Sequence, residues 1–109
     1  MSTIDAFRGS ITAAQPPADA SPALQGLWWM AKGDWDRAHQ CVQGHEGQAD
    51  CDWVHAHLHR QEGDLSNANY WYRRAAQPLA TVSLPDEWTA IAGALIARVA
   101  QTRTQGETS

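Results

Sequence analysis

Long apolar runs are missing from this chain, and no stretch approaches the roughly 18 consecutive apolar residues that a membrane-spanning helix needs. The N-terminus also lacks the charged start and apolar segment of a secretory leader, so a cytoplasmic protein is expected. Cysteine is scarce: Cys41 and Cys51 are the only two, at a spacing that fits neither a CxxC redox pair nor a zinc or disulfide framework. Free thiols are expected, and redox sensing through this pair is the weakest functional reading. Basic charge is short as well. A net charge of −4 and a pI near 5.6 leave no electrostatic footprint for a phosphate backbone or an anionic membrane, so neither nucleic acid nor membrane is expected as a partner. The catalytic and phosphate-binding signatures G-x-S-x-G, G-x-x-x-x-G-K-[ST] and G-x-G-x-x-G do not occur, and Cys41 near His39 has no recognisable orienting group. The expectation is a protein that is not an enzyme and carries no cofactor.

What remains is an ordinary globular composition, 43% hydrophobic and 18% charged, on 109 residues, enough for one modest core and not two. Six tryptophans are several times what a usage of roughly one per cent supplies, so the core is expected to be aromatic. Residues 1–20 show little apolar periodicity beyond Ile4, Phe7 and Ile11 and read as a flexible N-terminal arm. A helical domain over 21–103 and a disordered tail over 104–109 follow.

Within that domain the spacing predicts five helices. Ser21 caps the first, 22–32, which opens on Pro22 and carries Leu24, Leu27, Trp28 and Ala31 at helical intervals. Gly33 ends it and Asp34 can cap the second, 35–44. Asp50 or Asp52 starts the third, 51–62, which stops at Gly63-Asp64. The fourth, 65–76, has Arg73 and Arg74 near its C-terminus, where cations favour the helix dipole, and Pro78 beyond it. Ser83, three residues before Asp86, opens the fifth, 85–102, whose stripe is Trp88, Ile91, Ala92, Leu95 and Val99.

Gly33-Asp34-Trp35-Asp36-Arg37-Ala38 returns thirty residues later as Gly63-Asp64-Leu65-Ser66-Asn67-Ala68, each copy joining two helix-period segments. With Tyr70-Trp71-Tyr72-Arg73-Arg74-Ala75-Ala76 behind it, this pattern resembles the tetratricopeptide repeat family and its Sel1-like relatives. The resemblance implies an all-α fold of two antiparallel helical hairpins closed by a C-terminal capping helix. It puts the small residues of close helix approach at Gly26, Ala56, Ala38 and Ala68, the hole-filling aromatics at Trp29 and Tyr72, and a later alanine at Ala75. The chain departs from the pattern with a 30-residue first unit instead of about 34, with Val42 where an aromatic is usual, and with His55 and His59 where leucine and tyrosine are usual.

The resemblance further implies that the first helix of each hairpin lines a concave binding face, here Leu27, Met30 and Ala31 with Trp53, His57, Arg60 and Gln61. An aromatic, a guanidinium and an amide beside apolar contacts suit a peptide. The functional expectation is a noncatalytic scaffold that binds a protein or peptide partner, or self-associates as a homodimer, through that face. The alternative is a metal-binding protein. His55 and His59 lie one turn apart with Glu62 beyond them, two imidazoles and a carboxylate that could hold Zn²⁺, although hydrogen-bonded core histidines are the plainer reading. His39 and His45 read as lone surface or loop histidines.

Overall fold

The computed structural model describes residues 3–108 by their backbone, with side chains up to Arg98. Six α-helices and no strand occur among the described residues: α1 Ile4–Ser10, α2 Pro22–Ala31, α3 Trp35–Gln43, α4 Ala49–Gln61, α5 Leu65–Arg74 and α6 Leu84–Thr108. The fold is therefore all-helical, and among the described residues no helix is long and apolar enough to cross a membrane.

Local chemistry accounts for the helix boundaries. The Ser21 hydroxyl accepts from Leu24 N at 3.3 Å, with Pro22 in the first turn, as its sequence position predicted. Gly33 and Gly63 adopt φ of +83° and +85°, the left-handed conformation only glycine takes without strain. The following aspartates then cap α3 and α5: Asp34 Oδ1 accepts from Arg37 N at 3.1 Å and Asp64 Oδ1 from Asn67 N at 3.2 Å. Ser83 Oγ likewise accepts from Asp86 N at 3.2 Å before α6. The start of α4 differs from expectation. Gln48 occupies its N-cap without capping a backbone N–H through its side chain, while Asp52, already inside the helix, reaches back to accept from Gly47 N at 3.2 Å.

Helix α2 pairs with α3 and α4 with α5, while α4 also packs on α2, α3 and α6. One core cluster joins α1, α2, α3, α4 and α6 through Phe7, Leu27, Trp28, Val42, Val54, Leu58, Trp88 and Ile91. A smaller one holds Ala56, Ala68, Trp71 and Tyr72, and Trp53 packs against both.

Residues 4–11 are not the loose arm their composition suggested. Thr3 caps α1 by accepting from Ala6 N at 3.1 Å, and Phe7 is fully buried, stacked on Trp88 with centroids 5.8 Å apart. Ser10 Oγ accepts from Trp28 Nε1 at 3.1 Å. Three apolar residues, Ile4, Phe7 and Ile11, fit one face of a two-turn helix, and the tertiary site on α6 stabilises what so short a helix could not sustain alone. Met1 and Ser2, the start of the expected arm, lie outside the described residues. At the other end α6 runs past the predicted 102, and the backbone of the expected tail is helical to Thr108. Val99 of the predicted stripe falls among side chains outside the described set, as does Ser109.

Candidate functional site

Part of the predicted binding face is closed. Helix α6 lies on α2 and α4, so Leu27 and His57 are fully buried and cannot meet a partner. Trp88 Nε1 donates to the Leu27 carbonyl at 2.8 Å, fixing α6 on α2. Glu87, a buried carboxylate the sequence reading passed over, also ties α6 to its neighbours. Its Oε1 accepts from His57 Nδ1 at 2.7 Å and from Arg60 Nη1 at 3.1 Å, and its Oε2 accepts from the Tyr72 hydroxyl. Gln61 Nε2 lies 3.3 Å from His57 Nε2, and Arg60 also donates to the Val82 carbonyl. Burial pushes the Glu87 carboxyl up, but the hydrogen bonds from His57 and Tyr72 and the nearby Arg60 outweigh it, so its pKa falls below the ordinary carboxylate value. Tyr72 is raised by burial and then by its bond to Glu87. His57 and Arg60 thus belong to a satisfied network joining α4, α5 and α6. The signal was legible: Glu87 shares the inward face of α6 with Leu84, Trp88 and Ile91.

Of the predicted face, Met30, Ala31 and Gln61 reach an accessible surface together. With Arg8, Trp88 and Pro85 they line a cleft of about 480 Å³ where α1, α6 and the C-terminal ends of α2 and α4 meet. Arg8 sits at its rim, donating to Thr89 Oγ1 with its guanidinium 5.9 Å from the Trp88 ring. Trp53 is elsewhere, half-buried with the Arg98 guanidinium 5.8 Å from its ring.

The histidines form a different constellation from the one expected. His39, read as a lone histidine, projects from α3 between Trp35, on which it stacks at 4.7 Å, and His55, whose Nε2 lies 2.9 Å from its own. His55 and His59 stack at 4.9 Å on α4, and His55 in turn stacks on Trp71 of α5 at 3.9 Å. One nitrogen from each of His39, His55 and His59 lies within 4.8 Å of the others. Glu62 is not the third member of this group. Its Oε1 accepts from His59 Nδ1 at 2.6 Å, which leaves His59 Nε2 as the nitrogen with a free lone pair. Burial, then the neighbouring His39 and His59, depresses the His55 pKa to about 3, and His39 is lowered by burial and then by His59. Both rings are therefore held in the neutral form that can act as a ligand. The bland reading of buried core histidines holds for burial, since His55 and His59 are 2% and 7% exposed. For hydrogen bonding it holds in part: His55 Nε2 and His59 Nδ1 each have a partner, while His55 Nδ1 is buried without one.

Cys41 and Cys51 are free, and burial raises both thiols, Cys51 to about 11 with Asp52 and Cys41 adding to the effect. Neither has the thiolate character that redox sensing requires.

No family model, no curated protein and no solved structure matches the chain.

Proposed function

We propose that the chain is a noncatalytic helical-repeat module of tetratricopeptide type, with α2–α3 and α4–α5 as its two hairpins and α6 as the closing helix, that binds a peptide segment of another protein. What supports the repeat reading is the identical turn in both hairpins, a left-handed glycine followed by a capping aspartate, and the position of Gly26. A methyl group added there would meet Val42 Cγ1 at 3.0 Å and Val54 Cγ1 at 3.2 Å, the tight helix contact such repeats need a small residue for.

The observation that carries the binding reading is the cleft. It preserves Met30 and Gln61 from the expected face and substitutes Trp88 and Arg8 for Trp53 and Arg60 as aromatic and cationic anchors. Apolar walls from Ile11, Met30 and Trp88 with one guanidinium at the rim suit a segment carrying an apolar side chain next to a carboxylate.

A photo-crosslinking residue placed at Ala31, on the cleft, and at Ser66, exposed on α5, tests this in cells. The expected result is one discrete adduct from position 31, lost when Met30→Glu is added, and none from position 66. An adduct of two copies identifies the partner as the chain itself. Equal labelling from both positions, no labelling from position 31, or an adduct indifferent to Met30→Glu overturns the reading.

A further inference from the structure

We propose that His39, His55 and His59 form a binding site for one Zn²⁺ ion, with Glu62 as the group that orients His59. The site spans α3 and α4 and is separate from the cleft.

Three observations point to a cation. The first is convergence: three imidazoles from two helices bring one nitrogen each to within 4.8 Å of one another, with the His39 and His55 Nε2 atoms at 2.9 Å. Tetrahedral zinc with Zn–N bonds of about 2.0–2.1 Å requires nitrogens roughly 3.3 Å apart, inside the range the cluster already spans. The second is the hydrogen-bond inventory. A carboxylate only accepts, so the His59 proton sits on Nδ1 toward Glu62 and its Nε2 presents a lone pair. Between His39 and His55 one ring donates and the other accepts, and beyond that bond His55 has no polar partner at all. The ring is held by stacking on Trp71 and His59, and its Nδ1 stays buried without a hydrogen-bond partner. The third is the carboxylate behind His59. An imidazole that ligates through Nε2 is typically fixed by such an acceptor at Nδ1, which sets its tautomer and strengthens it as a donor to metal.

Neutral imidazoles suit borderline metals such as zinc over calcium or magnesium, which prefer oxygen. Three nitrogen ligands leave the fourth tetrahedral position for water or an exogenous group. His39 is half-buried and Glu62 is exposed, so the cluster borders solvent. The two indole rings that stack on His39 and His55 provide an optical report, because a paramagnetic ion at the site lies beside Trp35 and Trp71.

The experiment is titration of the chelator-treated full-length protein with Zn²⁺ by calorimetry, and with Cu²⁺ by tryptophan fluorescence. The expected result is one Zn²⁺ per chain, with quenching at the same stoichiometry. His39→Gln and His59→Gln should each weaken Zn²⁺ by more than about 100-fold, and Glu62→Gln by about 10-fold, since it only exchanges the orienting carboxylate for a neutral, weaker acceptor. Cys41→Ser should leave the affinity unchanged. Circular dichroism of each variant separates loss of the site from loss of the fold, and Glu62→Gln, on an exposed residue, keeps the test informative should a histidine variant unfold. Absence of stoichiometric Zn²⁺ uptake by the wild type overturns the proposal. So does uptake that survives His39→Gln but is abolished by Glu62→Gln, which would place the ion on His59, Glu62 and Asp64 instead, or uptake lost in Cys41→Ser.

Discussion

The same substitution, glycine to alanine, should have opposite effects at two helical positions. In mid-helix the change is intrinsically favourable by up to about 1 kcal/mol, because alanine loses less backbone freedom on folding. At Gly93 in α6 nothing lies within 4 Å of the added methyl, so Gly93→Ala should stabilise by about 0.5–1 kcal/mol. At Gly26 the methyl meets Val42 Cγ1 at 3.0 Å, Val54 Cγ1 at 3.2 Å and the Ala38 carbonyl at 3.4 Å. Both valines are fully buried and stiff at χ1, and the third neighbour is backbone, so none can yield cheaply. Overpacking of this kind costs about 1–3 kcal/mol, which against a helix gain of about 0.5–1 kcal/mol leaves a net loss of up to about 2.5 kcal/mol. Urea denaturation with unchanged m-values measures both, and the gap between the two variants isolates packing from propensity. Adding Val42→Ala to Gly26→Ala should recover part of the loss, a favourable coupling of at least about 0.5 kcal/mol between residues in contact. If Gly26→Ala proves as stable as Gly93→Ala, α2 does not approach α3 and α4 as closely as described, and the alignment of Gly26 with the small residue of a helical repeat fails with it.

Two further outcomes follow from the buried contacts. Phe7→Ala should cost about 3–5 kcal/mol by urea denaturation, because it empties a fully buried site against Trp88, and a loss below about 1 kcal/mol would restore the reading of residues 1–20 as a loose arm. Glu87→Gln should cost about 2–3 kcal/mol near neutral pH, and the penalty should shrink with acid. The native pKa is depressed, so the stabilisation is fully present above the unfolded carboxylate value and is lost as pH falls through the lower native one. A wild-type advantage over Glu87→Gln that stays constant from about pH 7 to about pH 3 would contradict the ionised network.

Much of the local structure was readable because its causes are local. Ser21, Asp34, Asp64 and Ser83 cap the helices that the apolar spacing marks, and Gly33 and Gly63 turn the chain where only glycine is free to. The candidate site was half readable. His55 and His59 share a face because four residues are about one helical turn, a relation any sequence reading can see. His39 belongs with them only because α3 packs on α4, and no spacing along the chain encodes that distance.

The sequence by itself marked the starts of α2, α3, α5 and α6 and the two Gly-Asp turns, since these depend on periodicity and capping. Tertiary structure decided the rest. Phe7 turned a short, marginal segment into α1 by finding Trp88, and α6 closed the face that Leu27 and His57 were expected to present. Glu62 became the hydrogen-bond partner of His59, and His39 joined His55 and His59 from the neighbouring helix. These outcomes turn on which surfaces meet across long stretches of chain, and burial and hydrogen-bond satisfaction are settled only when they do.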